Sequence, residues 1–553
     1  MTTALLLSGL LAFGAVDDSE TSGRPLPPGQ ACYDVTHYDL ALKVDPETES
    51  IEGRMRMEAT LLEGTSEVVL DLHDRLTVRS VSVEGRDAQF VHEAGEIRIQ
   101  PVKALDDVGS TIEVVVEYGG KPRVAPRPPW DGGFTWTETK AGAPWIATSC
   151  QGQGADLWWP CKDQPGDEPE TMAITVTVPE GLVAACNGKL LGVDEAEDGW
   201  SRYRWFVSMP ISTYSVALNI APYRTIERTH TSIAGEEFPV IYYVLPENYD
   251  KGLVLMEDIL KQMVFMEDTF GPYPFRADKY GVAETPHLGM EHQSIIAYGN
   301  RYSGNPWGSE HGFDFLHMHE FAHEWWANLV TARNWKDFWI HESFGTYSEA
   351  LYVEHVSGFE GYKLQMSEKR GRMLNAAPIA PREDRSTNEM YFSDDNPNAP
   401  GIDIYNKGSW VLHTLRWLVG DERFFEFLRR MAYPTPEMEA ITDGGQCRFS
   451  TTDEVIEIAE RVTGQELDWF FALYVRQPHL PRLEVARGAD GLELAWDVPE
   501  GLEFPMPVQV RIGDELLRVE MPGGKARVAV PQGADVEVDP HAWLLRVREG
   551  TGR

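Results

Sequence analysis

Basic residues, cysteines and long apolar runs are all scarce in these 553 residues, and each scarcity excludes a class of protein. Lysine and arginine number 49 against 87 aspartates and glutamates, a formal net charge of −38. Such a surface repels nucleic-acid phosphates and anionic lipid headgroups, so neither is expected as a partner. The ordinary meaning of the acidity is solubility or a salty environment. The five cysteines, Cys32, Cys150, Cys161, Cys186 and Cys447, show no Cys-x-x-Cys spacing, which argues against both a disulfide framework and a cysteine-bound metal and leaves one bridge open. After the first residues no stretch stays apolar long enough to span a membrane, and there are no internal repeats. The one apolar run, residues 4–16, ends in small residues like a signal peptide, although no lysine or arginine precedes it. Export to a periplasm or the medium is therefore expected, with cytoplasmic residence if residues 1–16 are not a signal.

Patterning divides the rest. Residues 17–30, rich in Asp, Ser, Gly and Pro, read as a linker. Period-2 alternation follows at Leu40/Leu42/Val44, Met55/Met57/Ala59 and Val114/Val116/Tyr118 and continues to Ser215–Ile220, so 31–222 reads as an all-β domain, with Pro122–Pro129 and Trp130 as a surface crossing. From about 250 the period becomes helical, at Met256, Ile259, Leu260 and Met263, and stops at Gly271-Pro-Tyr-Pro. Further helices are expected near 312–330, 343–357, 407–419, 422–432 and 452–463, the last opened by Thr451 and Glu454 at capping-box spacing. Residues 223–477 thus form a mainly helical middle. Alternation returns in 478–553, at Leu483/Val485, Leu492/Leu494/Trp496, Val508/Val510/Ile512 and Val528/Val530, as in a small β-sandwich.

The chemistry concentrates in the middle. In His319-Glu320-Phe-Ala-His323 the two histidines stand at i and i+4, on one helical face, where both imidazoles can reach one point. Catalytic zinc takes three protein ligands and keeps a position for water, so a third ligand is needed. Glu342 supplies a candidate, at the start of a second helical pattern. Glu320 lies beside the ligands and is not needed for coordination, which suits a general base. No Gly or His follows His323 at metzincin spacing. His311 and His317 fall outside the coordination sphere, His317 because i−2 faces away. Glu349, seven residues after Glu342, is a candidate support for the site.

The run from His319 through Glu-Trp-Trp-Ala-Asn-Leu-Val-Thr to Trp339-Ile-His-Glu342 resembles the zinc aminopeptidases that include aminopeptidase N and leukotriene A4 hydrolase. Gly289-Met290-Glu291-His292 is similar to that family's Gly-x-Met-Glu-Asn exopeptidase motif, with Leu288 in place of the first Gly and His292 in place of Asn. Tyr405-Asn-Lys-Gly408 resembles its Tyr-x-Lys-Gly, and Gln151 ahead of Pro160-Cys-Lys-Asp163 its Gln/Glu and Pro-Cys-x-Asp segment. The resemblance implies an α+β multidomain protein: a β-saddle domain, a thermolysin-like catalytic domain and an immunoglobulin-like domain, shortened by the helical domain that members usually add. It implies one Zn2+ per chain, Glu291 and Gln151 reading the free α-ammonium of a peptide substrate, Gly289 and Met290 in the same binding segment, and Tyr405 donating to the oxyanion. A zinc endopeptidase of the same helix type would share the metal site but have no use for Glu291. A non-catalytic binding module keeping the fold would need no zinc. Epoxide hydrolysis, known in one branch, has no separate signal here, and oligomeric state has none.

Overall fold

The structure is a computed structural model that describes residues 21–197, 199–391, 399–488 and 491–547; the expected signal segment 1–16 lies outside these. Its N-terminal region is mostly β. Tyr33–Asp45 alternates buried and partly exposed residues, placing Tyr38, Leu40, Leu42 and Val44 in the core. It pairs antiparallel with Ser50–Leu61, Leu40 opposite Met55, and parallel with Thr171–Pro179, near the centre of an eight-stranded sheet. Each such fully buried leucine or valine contributes about 1.5–3 kcal/mol. The same region holds a four-stranded and a three-stranded sheet. Ser215–Ile220 is not the expected strand: only Asn219–Ala221 pairs, after a helical turn at Thr213–Ser215, because Ser215 and Ala217 bond instead to Asn328 and Asn187. The stretch read as a linker is packed at Thr21 and Ser22, which are buried, and exposed at Pro25 and Leu26.

The middle of the chain joins helices to a five-stranded sheet that the helical period did not announce, Arg224–Thr231, Glu237–Val244, Tyr280–Glu284, Ile296–Tyr298 and the edge pair Gly289–Met290. Helix α1, Tyr249–Phe270, buries Met256, Ile259 and Met263 as its period requires and ends at Gly271. Helix α2 is Phe315–Ala322, N-capped by Asp314, whose carboxylate accepts from His317 N–H. The expected helix 312–330 stops there. Residues 324–329 leave helical geometry at Trp326 and Ala327, because the chain must turn into Val330–Ala332, which pairs with the distant Arg448–Ser450. Helix α3 runs Trp339–Arg370, bent at Gly358, longer than the expected 343–357. Helices α4, Asn406–Val419, α5, Asp421–Ala432, and α6, Thr452–Thr463, match their periods. Half of the capping box at α6 is present: Thr451 accepts from Glu454 N–H, but the Glu454 carboxylate pairs with Arg448 instead of turning back.

At the C-terminal end a pair of three-stranded sheets encloses Leu492, Leu494, Val508 and Val510. Val485 is exposed and Val528 half-buried, so those alternating positions flank the core. This region docks on the helices through Tyr474 O–H donating to Leu545 O (2.8 Å) and Arg370 to Leu544 O (3.1 Å). All five cysteines are free thiols. No helix among the described residues is long and apolar enough to cross a membrane.

Candidate active site

The early end of α2 explains the geometry of its second histidine. Once the chain leaves the helix, Trp326 O is free to accept from His323 Nδ1 at 2.8 Å. A carbonyl can only accept, so the proton of the neutral ring sits on Nδ1 and the Nε2 lone pair points the other way. His319 is fixed likewise: its Nδ1 lies 2.7 Å from Glu349 Oε1, and Glu349 Oε2 takes Lys369 Nζ at 2.7 Å. Glu349 sits two turns after Glu342 on α3, which is why one helix serves both contacts. Glu342 Oε2 completes the group, 3.7 Å from His319 Nε2 and 3.5 Å from His323 Nε2.

These three atoms converge, within 4.8 Å of one another. Glu342 Oε2 is buried and has no hydrogen-bond partner, and the two Nε2 atoms face each other at 3.3 Å. A buried carboxylate oxygen without a partner, facing two imidazole lone pairs, is costly unless a cation fills the space. Two imidazoles and a carboxylate suit zinc, and the residues present fit it. The surrounding electrostatics agree. Burial, then Glu291, raises the pKa of Glu342. Burial, then Glu291, Glu342 and Glu349, raises that of Glu320. Burial, then His319, lowers that of His323 well below its ordinary value. Glu349 resists burial and stays low through Lys369 and His319. Carboxylates crowded around two neutral rings are relieved by a dication. Glu320 is buried and packs against the backbone of Gly289, where an added Cβ would lie 2.2 Å from its Oε1. Glycine there is a steric requirement of the glutamate's position.

Glu291 lies in the same cavity wall, together with Gln151, Gly289 and Met290. It is buried, which raises its pKa, and its Oε1 accepts from Gln151 Nε2 and from Tyr214 O–H (3.1 Å). Its backbone oxygen accepts from Asn328 Nδ2 at 3.0 Å. The Gln151 nitrogen, not its oxygen, thus meets the carboxylate. Glu291, Glu320 and His323 also bring one ligand atom each within 4.8 Å of one another. Tyr405 stacks on His319, ring centres 6.0 Å apart, and its hydroxyl is 2.9 Å from that of Tyr391. The stretch expected as a surface crossing contributes Pro129 and Trp130 to the cavity rim. His317, as expected, points away, bonded to Tyr280 O–H (2.7 Å) and Gln262, and His311 meets Ser357. The buried His292, in the place of the usual Asn, has no hydrogen-bond partner for either ring nitrogen. No spacing in the sequence points to Tyr214, Asn328 or Tyr391, nor to Lys369, which stands 20 residues beyond Glu349 across the Gly358 bend.

Two family models match the chain. The model of the peptidase family M1 domain covers residues 255–435, and that of the peptidase M1 N-terminal domain covers residues 35–215. The chain belongs to peptidase family M1. Among relatives of the M1 chain, leucine aminopeptidase 2-1 of Meyerozyma guilliermondii is 24% identical over 410 residues, 71% of this chain and 61% of that protein. Leukotriene A-4 hydrolase of Xenopus laevis is 24% identical over 72% of this chain and 64% of its own length. Human glutamyl aminopeptidase is 26% identical over 52% and 30%. The chain therefore spans less than two-thirds of these relatives. A crystal structure of an M1 zinc metallopeptidase variant from Deinococcus radiodurans, bound to a Tyr-Ser-Ala substrate, superposes with a TM-score of 0.66 at 24% identity, covering 84% of this chain and 99% of that one. The M1 architecture, an N-terminal mostly-β region, a helical catalytic region and a C-terminal β region, is the one seen here.

Proposed function

We propose that this M1 chain is a zinc aminopeptidase that removes N-terminal residues from peptides, with one zinc per chain held by His319, His323 and Glu342. The carrying observation is that Glu291, bonded by Gln151 and Tyr214, shares a cluster within 4.8 Å with Glu320 and His323. An ammonium paired with that carboxylate lies about one residue from the ligand set, which is the register of an exopeptidase. Burial leaves Glu291 short of positive charge, and the substrate amine supplies it. The Gln151 amide oxygen, opposite the nitrogen that meets Glu291, is a second acceptor for the amine.

Zinc in this triad supplies a Lewis acid and a water acidified toward neutrality. The chain's own residues do the rest. Glu320, not a ligand and held against Gly289, accepts the proton of the attacking water at its carboxylate and returns it to the departing nitrogen. Tyr405, whose hydroxyl donates to the Tyr391 oxygen in the free site, turns that donor to the oxyanion of the tetrahedral carbon. Glu349 keeps His319 in the tautomer that leaves Nε2 free, and Trp326 O does the same for His323.

The deciding test compares aminoacyl arylamides with their N-acetylated forms, with and without chelator. Chelator-sensitive cleavage of the free amine alone is expected. Cleavage of the blocked substrate at an equal rate would make the protein an endopeptidase, and absence of bound zinc would make it a binding module. Residues 1–16 are read as an export signal; N-terminal sequencing of protein recovered outside the cytoplasm tests this, and an intact Met1 would contradict it.

A further inference from the structure

The segment just after residue 20, expected as a linker, touches the supports of Gln151, Tyr214 and Tyr391. Ser22 alone bonds to three separate segments. Its N–H donates to Gly152 O at 3.2 Å, its Oγ accepts from Trp335 Nε1 at 3.2 Å, and its carbonyl accepts from Thr387 N–H and Oγ at 3.2 and 3.1 Å. Each contact lies one step from the site. Gly152 follows Gln151. The Trp335 ring packs on Tyr214, centres 5.7 Å apart, and Tyr214 bonds to Glu291. Thr387 opens the helical turn Thr387–Met390 that delivers Tyr391 to Tyr405.

The neighbours of Ser22 fix it there. Gly23 has φ +75°, and a Cβ on it would lie 2.2 Å from Trp335 Cδ1, inside a buried indole that has nowhere to move. Thr21 Oγ accepts from Asn388 N–H at 3.3 Å. Arg24 pairs with the buried Asp71 at 3.1 Å, and its carbonyl accepts from Gln164. The segment is therefore tied to the β region through Gly152, Gln164 and Asp71 and to the catalytic region through Trp335, Thr387 and Asn388. Gln151 and Glu291 come from those same two regions.

We infer that Thr21–Arg24 is a strap that positions Gln151 and Tyr214 on Glu291, and so sets how tightly the substrate amine is held; this rests on the aminopeptidase reading. It touches neither the ligands nor Glu320, so its loss loosens amine recognition and leaves the metal alone.

Two inhibitors separate these effects: a β-aminothiol, which reaches both metal and amine site, and the alkyl thiol of the same length without the amine. In the native chain the aminothiol is expected to bind about tenfold to a hundredfold more tightly, the worth of charged hydrogen bonds to the amine. In Gly23→Val that advantage should fall about tenfold, since small misplacement of a positioning group is expensive. In Ser22→Ala it should fall several-fold, with zinc content and alkyl-thiol affinity native in both. If Gly23→Val does not fold, Ser22→Ala and Thr387→Val carry the test. A native-like advantage in the folded variants, with only a lowered melting temperature, overturns the strap as a positioning element. An advantage near one in the native chain overturns the aminopeptidase reading, and the strap with it.

Discussion

The proposed metal ligands all come from one stretch, residues 319–342, whereas the proposed amine end draws Gln151, Tyr214, Glu291 and Asn328 from segments spread between residues 151 and 328. The first is organised by helix geometry: i and i+4 on α2, and two turns of α3 for Glu342 and Glu349. The second is organised by tertiary packing of the β region on the catalytic region. The metal end should therefore fail all at once when a ligand is removed. The amine end should weaken by degrees, because two donors, Gln151 and Tyr214, share one carboxylate and Asn328 holds its backbone.

The largest expected effect is at the metal end. His323→Ala leaves two ligands and should lose both stoichiometric zinc and turnover; metal analysis showing one zinc per chain would remove His323 from the ligand set. Next, Glu320→Gln should keep its zinc while turnover falls about a hundredfold to ten-thousandfold, because an amide cannot take the water's proton. Near-native turnover would exclude Glu320 as the base. Tyr405→Phe should lower kcat by about a hundredfold to a thousandfold with little change in KM. Unchanged kcat with a lowered melting temperature would make Tyr405 a packing residue. Glu349→Ala is smaller: it frees His319 Nδ1 and strands Lys369, and should weaken zinc binding about tenfold to a hundredfold in a competition titration. Native zinc affinity would mean that Trp326 O alone orients the pair.

What could be read in the sequence follows the same division. The convergence of His319, His323 and Glu342 was legible because it follows from local spacing, and Glu349 because it lies on the same helix as Glu342. Helix periods placed α1, α4 and α5, since one face of each is buried. The end of α2 was not legible. Glu324-Trp-Trp-Ala-Asn-Leu329 carries an apolar pattern compatible with helix, and what breaks it is a strand pairing with residues 448–450, over a hundred positions away. Glu454 was read as half of a capping box because Arg448 was invisible as its partner. Tyr214, Tyr391 and the Thr21–Arg24 strap belong to that class too: they act through contacts between residues far apart in the chain, and residues without a repeat or motif carry no signal.

The most direct measurement of two separable ends in one pocket is Glu291→Gln, assayed on a single preparation for zinc content and for the rate ratio of free to N-acetylated arylamide. The expected result is one zinc per chain, as in the native protein, with the preference for the free amine largely lost. Loss of zinc, or a native preference with the carboxylate gone, would contradict the division of the site into a metal end and an amine end.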